Sequence, residues 1–135
     1  MLFKSEIRGH PALVLENDHL RISVLPQKGA DIYQFIHKVS GVDCLMKTPA
    51  DLQPPGEQPQ LEFVDNYEGG WQELFPNPGD AYEYQGTLIP FHGEVALLPW
   101  EYEILRDDDN ETSVRLFVAC RVTPFPLLSI SPCWK

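Results

Sequence analysis

Two neighbouring segments in the middle of the chain hold the residues best suited to chemistry. Residues 69–77 contain two glycines, a tryptophan and a Pro-Asn step, and residues 91–94 read Phe-His-Gly-Glu. An indole offers a flat apolar face with one N–H donor, and an imidazole can donate to or accept from a hydroxyl group near neutral pH. This mixture favours a small polar ligand over a place in the core, and carbohydrate is the class that we expect. The predicted ligand contacts are Trp71, Asn77, His92 and Glu94.

Each of these residues also has a structural interpretation. Trp71 could belong to the core, and His92 could end a strand with a hydrogen bond to a carbonyl. Asn77 could cap a turn rather than contact vicinal hydroxyls, and Glu94, like Glu73, could be solvated or could accept backbone N–H groups. Two carboxylates could also flank a glycosidic bond, but that mechanism needs a separation that the sequence does not show. We therefore predict binding residues and no catalytic residue.

Other kinds of site lack their sequence signals. No spacing of histidines and cysteines matches a metal site, so we expect no metal and no cofactor. No serine lies in a Gly-x-Ser-x-Gly segment, which gives serine hydrolase chemistry no support. The Gly-Gly pair at residues 69–70 is not followed by a helix pattern or by Lys-Ser/Thr, which argues against a phosphate loop.

The charge of the chain is strongly acidic and local. The net charge is −10, and residues 51–111 hold fifteen acids against Arg106, so this span alone carries −14. Nucleic acid and anionic membranes attract basic proteins, and we therefore predict neither as a partner. The acidic span is either a solvated loop region or a site that repels anions and accepts neutral polyols.

The remaining composition favours a single cytoplasmic domain. A chain of 135 residues can bury one core, and three cysteines at irregular spacing are expected to be reduced thiols. No apolar run approaches the roughly 20 residues of a membrane helix, and Lys4 and Glu6 lie where a signal peptide would be apolar.

Thirteen prolines and nine glycines leave no window of a dozen residues with the 3.6-residue apolar period of a helix, whereas alternation of apolar and polar residues, typical of strands, recurs. Residues 12–15 and 20–24 predict a hairpin, followed by a turn at 26–29 and a strand at 32–39 that is apolar on both faces. Strict alternation places Tyr33 and Phe35 on the same face of that strand.

The second half of the chain continues this pattern. We expect a short strand at residues 42–46, a long loop at 48–60 and an acidic loop at 78–89. Residues 100–105 and 112–122 predict further strands. The longer of these carries its apolar face on Val114, Leu116, Val118, Cys120 and Val122. Together these strands favour an all-β, antiparallel β-sandwich or a large twisted sheet.

Residues 124–135 are apolar and interrupted by proline, without the turn residues that should follow a strand. We interpret residues 1–123 as the domain and residues 124–135 as an atypical tail, from truncation or a frameshift. In an incomplete sandwich the strand at 112–122 would have an unpaired edge and an exposed apolar face, which predicts self-association.

Three segments together resemble a known family. Residues 20–26 followed by 28–32 are similar to the opening strands of aldose 1-epimerases, the galactose mutarotases. Residues 69–77 with 92–94 resemble a less characterised branch of that superfamily, and the resemblance extends over about residues 12–122.

The resemblance implies a β-sandwich of the galactose mutarotase type that binds a pyranose in a cleft. In the family, a histidine acts as general acid on the ring oxygen and a glutamate as general base on the anomeric hydroxyl, without a cofactor. His92 resembles the family's sugar-contacting histidine and Asn77 the asparagine of its Pro-Asn segment. The acid histidine and the base glutamate come later in the family, and neither has a counterpart in these 135 residues.

Three functional hypotheses remain open from the sequence. The first is an aldose 1-epimerase-like isomerase acting on a monosaccharide. The second is a carbohydrate-binding module or remnant without turnover. The third is a β-sandwich interaction domain whose acidic loop binds a basic partner.

Overall fold

The computed structural model describes residues 1–56, 62–123, 128–131 and 133–134, with residues 133 and 134 described by their backbone only. Its regular elements are strands and two short 3-10 helices, Phe63–Asn66 and Val95–Leu97. The strands, in chain order, are β1 (Leu2–Ile7), β2 (His10–Glu16), β3 (Leu20–Leu25), β4 (Asp31–His37), β5 (Val42–Asp43), β6 (Tyr82–Tyr84), β7 (Thr87–Ile89), β8 (Glu101–Asp107), β9 (Thr112–Val118), β10 (Leu128–Ile130) and β11 (Cys133–Trp134). Every pair of these strands is antiparallel, so the predicted all-β, antiparallel class is confirmed.

The first sheet has five strands in chain order, β1 to β5. The predicted hairpin between residues 12–15 and 20–24 is present as β2 and β3, joined through Asn17 and the residues after it. The turn after β3 is also as expected. The turn is closed by a hydrogen bond of 3.1 Å from the Lys28 N–H to the Leu25 carbonyl. Gly29 takes a φ of 59°, which suits glycine because it has no Cβ.

The second sheet is built around β9, with β8 on one side and β10 and β11 on the other. The main core lies between this sheet and the first one. Its buried members from the first sheet are Leu13, Leu15, Ile22 and Val24, and those from the second are Val114, Leu116 and Val118. Trp100 closes one side of this core, and its indole N–H donates to the Val95 carbonyl at 2.9 Å. The arrangement is sandwich-like, since two antiparallel sheets bury their facing sides against each other.

A β-bulge corrects the predicted faces of β4. The pairing of β3 with β4 shifts register between Ser23 and Val24, so that one extra residue of β4 is left opposite β3. As a result Ile32 and Phe35 both pack against the main core. Tyr33 lies in a second cluster with Ala12 and Leu25 on the other face. The expectation that β4 is apolar on both faces is confirmed, but the grouping of Tyr33 with Phe35 is wrong.

The predicted strand at residues 112–122 is shorter and better covered than expected. It ends at Val118, and the N–H groups of residues 121–123 then bond to the Glu94 carboxylate rather than to a neighbouring strand. Val122 is consequently 39% exposed rather than part of the apolar face. Strands lie on both sides of β9, so the expectation of an unpaired edge and an exposed apolar face at this strand is wrong. Self-association itself stays a prediction.

Two elements were not expected. The β1 strand adds an edge to the first sheet and pairs with β2 along six residues. The acidic connection at 78–89 contains the β6–β7 hairpin rather than a plain loop. Gln85 and Gly86 form its turn with φ values of 51° and 78°, the left-handed pair typical of two-residue hairpins.

The predicted tail lies partly within the described residues. Leu128–Ile130 pairs with residues 116–118 of β9, and Cys133–Trp134 pairs with residues 112–113. Residues 124–127, 132 and 135 lie outside the described part, as do residues 57–60 of the predicted long loop and residue 61 after it. The interpretation of residues 124–135 as an atypical tail stays a prediction.

Candidate functional site

The two segments singled out in the sequence lie side by side. Phe75 and Gly93 form a parallel bridge, and the Glu94 N–H donates to the Phe75 carbonyl at 3.0 Å. The His92 N–H donates to the Gly79 carbonyl at 2.9 Å. A Cβ on Gly93 would lie 2.0 Å from the Phe75 oxygen, so this close approach requires glycine. The sequence therefore brings the segments at 69–77 and 91–94 together through backbone contacts.

A pocket of about 420 Å³ opens where these segments meet the first 3-10 helix. Its aromatic walls come from Phe63, Tyr67 and Phe91, and Leu74 adds an aliphatic surface. Gln72 and His92 provide the polar groups. Apolar walls with a few polar atoms are typical of small-molecule sites, which range over roughly 300–1,000 Å³.

His92 is held in this pocket by aromatic contacts. Its ring centroid lies 4.5 Å from that of Phe63 in an edge-to-face arrangement and 3.8 Å from that of Phe91. Its Nδ1 is buried without a hydrogen-bond partner. The backbone is left-handed there, with a φ of 61°, which is uncommon for a residue other than glycine. Such a conformation at an aromatic pocket is a feature of functional sites.

Trp71 is not a core residue, because 56% of it is exposed. Its backbone pairs with Ile32 of β4 through two hydrogen bonds of 3.0 Å. It does not line the pocket, although Gly70 and Gln72 on either side of it do. Trp71 is thus available for a ligand on an adjoining surface, and its contact stays a prediction.

Asn77 organises the turn that follows Pro76. Its side-chain N–H₂ donates to the carbonyls of Gly79 at 2.9 Å, Asp80 at 3.1 Å and Pro90 at 3.5 Å. The bond to Pro90 connects Asn77 to the segment between β7 and His92. Its Oδ1 is buried and has no partner. The donors of Asn77 are therefore committed to the backbone, which corresponds to the turn-capping interpretation.

Glu94 is a buried structural carboxylate. Its oxygens accept the N–H groups of Arg121 at 2.7 Å, Val122 at 3.1 Å and Thr123 at 3.0 Å. The carboxylate holds residues 121–123 against the start of the second 3-10 helix. A direct ligand contact at Glu94 stays a prediction, and of the four predicted contacts only His92 lines the pocket.

The sequence reading missed a buried ionic cluster behind the pocket. Lys28, Asp31 and Glu68 have side chains that are 3%, 0% and 2% exposed. The Lys28 ammonium donates to Asp31 Oδ2 at 3.2 Å and lies 2.9 Å from Glu68 Oε1. One cation thus faces two buried carboxylates. A signal did exist, since Lys28 directly precedes Gly29 of the predicted turn and Glu68 directly precedes the Gly-Gly pair at residues 69–70.

Burial raises the pKa of the Asp31 carboxyl from 3.8 to about 7, and the Glu68 carboxylate contributes to that rise. Lys28 and a hydrogen bond with the Gln72 side chain act in the opposite direction and are outweighed. Gly70 separates this cluster from the pocket, since a Cβ on Gly70 would lie 2.6 Å from Asp31 Oδ1. The second glycine of the pair thus allows Asp31 to sit directly behind the pocket floor.

A second cavity, of about 260 Å³, lies between the two sheets. It is lined mainly by core residues such as Leu15, Ile22 and Leu116, with Glu73 and Ser131 as its polar groups. Glu73 is therefore separate from the aromatic pocket, which leaves no carboxylate pair across it among the described residues.

Within the described ranges, no group of three or more His, Cys, Asp or Glu side chains is placed to hold a metal. Nor does that part of the chain contain a helix of the length and apolarity needed to cross a membrane. Neither a scan of protein-family models nor a search of curated protein sequences found a match to this chain.

Proposed function

We propose that this chain binds carbohydrate, with a small sugar in the aromatic pocket between residues 69–77 and 91–94. The observation that carries the proposal is the pocket itself, since its polar groups, Gln72 and His92, come from the two segments that resemble aldose 1-epimerases. Its aromatic walls come from Phe63 and Tyr67, in and just after the first 3-10 helix, and from Phe91 beside His92. The aromatic faces of Phe63, Tyr67 and Phe91 suit the apolar C–H face of a pyranose. His92 and Gln72 supply hydrogen-bonding groups for its hydroxyls.

The proposed fold type is a sandwich of the galactose mutarotase type. The supporting features are the two face-to-face antiparallel sheets and the position of the pocket beside β4, next to the 69–77 segment. The proposal concerns binding. Exchange of sugar anomers needs an acid and a base on either side of the anomeric carbon. Among the described residues, His92 is the one imidazole and no carboxylate lines the pocket, while Tyr67 adds a phenol.

Isothermal titration calorimetry with D-galactose and D-glucose tests the proposal. We expect millimolar dissociation constants for the unmodified chain. The variant His92→Gly should bind about tenfold more weakly, because it loses a hydrogen bond and a ring contact worth about 1.4 kcal/mol together. Glycine is chosen because it tolerates the left-handed backbone at this position.

The matched control is His19→Ala, which removes an exposed histidine outside the pocket and should leave binding unchanged. Absence of heat up to tens of millimolar sugar would contradict the proposal and favour the interaction-domain hypothesis. Equal affinities for His92→Gly and the unmodified chain would place the sugar elsewhere. Polarimetry of freshly dissolved α-D-galactose then separates a binding protein from an isomerase, since only an isomerase speeds the decay of optical rotation.

A further inference from the structure

The cluster of Lys28, Asp31, Glu68 and Gln72 has more hydrogen-bond acceptors than donors. Among the described residues, three buried oxygens of the cluster have neither a hydrogen bond nor an ionic partner, namely Asp31 Oδ1, Glu68 Oε2 and Gln72 Oε1, while Glu68 Oε1 has only its ion pair with Lys28. In the part of the chain that the structure describes, the Lys28 ammonium is the one cation paired with Asp31 and Glu68, and its charge balances only one of the two carboxylates. Unpaired buried acceptors are costly, and a single added donor would relieve two of them.

We propose that this cluster binds one proton, carried by the Asp31 carboxyl, and that Gln72 transmits its protonation state to the aromatic pocket. The proton-binding part is independent of the ligand, whereas the effect on ligand affinity rests on the proposed function. The proton makes the cluster neutral, since one ammonium then faces one carboxylate. It also turns Asp31 from an acceptor into a donor.

The groups around Asp31 support this position for the proton. Lys28 approaches from the turn before β4, and Glu68 approaches from the loop after the first 3-10 helix. These are the charged groups that act on Asp31 among the described residues, and burial outweighs the effect of Lys28. The pKa of Asp31 is therefore raised to about 7, close to physiological pH.

Gln72 connects the two sites because it is a partner of Asp31 and also lines the pocket. Ionised Asp31 can only accept a hydrogen bond, so it favours the amide N–H₂ of Gln72. Protonated Asp31 can donate to Gln72 Oε1, which has no partner in the present arrangement. Protonation thus favours the opposite orientation of the amide and exchanges the donor and acceptor atoms of Gln72 relative to the pocket.

Nuclear magnetic resonance on the ligand-free chain tests the proton site. We expect one side-chain carboxyl ¹³C signal with a midpoint near pH 7. The side-chain amide signals of Gln72, assigned by their loss in Gln72→Met, should follow the same midpoint. Both titrations should vanish in Asp31→Asn. The matched control is the amide of Gln34, which accepts from Ser23 Oγ at 2.9 Å and should not titrate in this range.

Three results would overturn the proposal. These are carboxyl midpoints that all lie below about pH 5, Gln72 signals that stay constant between pH 5 and 9, or a titration that persists in Asp31→Asn. If Asp31→Asn does not fold, a shared midpoint of the carboxyl and Gln72 signals in the unmodified chain still decides the matter.

Calorimetry with D-galactose at pH 6 and pH 8 tests the coupling to the pocket. The ratio of the dissociation constants at the two pH values should differ at least threefold between the unmodified chain and Asp31→Asn, a comparison that cancels the effect of other titratable groups such as His92. No binding at either pH would refute the proposed function, while the Gln72 titration would still support the proton site. The same ratio in the unmodified chain and in Asp31→Asn, with a titrating Gln72, would refute transmission to the pocket.

Discussion

Replacing Asp31 by Asn should change how the stability of the chain depends on pH. The folded state raises the pKa of this carboxyl from 3.8 to about 7, so between these values the folded state holds a proton that the unfolded state has released. The stabilising contribution is therefore complete below pH 3.8 and is lost as the pH rises to about 7. At about 1.4 kcal/mol per pH unit, the unmodified chain should lose about 3 kcal/mol between pH 5 and pH 8.

Urea denaturation followed by circular dichroism at pH 5, 6, 7 and 8 measures this loss. Asp31→Asn cannot ionise, so its free energy of unfolding should lack this decline, and the difference between the two proteins should change by about 3 kcal/mol. Glu16 does not interfere, because hydrogen bonds with Arg21 and Lys38 lower its pKa to about 2 and its effect falls below this window. Asp109→Asn, at an exposed position, serves as the control. Parallel curves for Asp31→Asn and the unmodified chain would refute the reasoning.

Two further substitutions test the packing around the pocket. Glu94→Gln should lower the free energy of unfolding by about 2–4 kcal/mol, because the amide keeps only one acceptor oxygen for the N–H groups of residues 121–123. Hydrogen exchange at these three amides should accelerate, and unchanged exchange would contradict the role of Glu94. Gly93→Ala should lower the free energy of unfolding by at least about 3 kcal/mol, because the new Cβ would lie 2.0 Å from the Phe75 carbonyl oxygen. Gly41 has a similar positive φ, but a Cβ at this position would meet no other atom, so Gly41→Ala should lower the free energy of unfolding by about 1 kcal/mol. Equal thermal midpoints for the two glycine variants would contradict the clash at Gly93.

Local sequence pattern was sufficient for much of the fold. The alternation of Leu20, Ile22 and Val24 and the glycine turn after them predicted a hairpin because one face of a strand must be buried. The same rule failed at Tyr33, because a bulge depends on the partner strand and leaves no mark in the alternation of β4 itself. It failed again after Val118, where the distant Glu94 carboxylate binds the backbone in place of a neighbouring strand.

The candidate site was predictable only in part. The glycines at 69, 70 and 93 marked close backbone approaches, and His92 lines the pocket that they permit. Phe63 and Tyr67 lie in a segment without a recognisable motif, and they join the pocket through tertiary packing. The backbone partners of Glu94 are 27 to 29 residues away, and Glu68 is 40 residues from Lys28, so these roles depend on contacts that no local pattern encodes.

In a chain whose third tryptophan, Trp134, is replaced by phenylalanine, the contrasting environments of Trp71 and Trp100 give two separate optical reporters. Trp100 is 1% exposed and bonded to a carbonyl, so its fluorescence should be blue-shifted and protected from acrylamide until the core opens. Trp71 is 56% exposed, so it should emit at longer wavelength and be quenched readily. Because Trp71 belongs to the segment that borders the pocket, Trp71→Phe would separate changes at that surface from unfolding of the sandwich-like core.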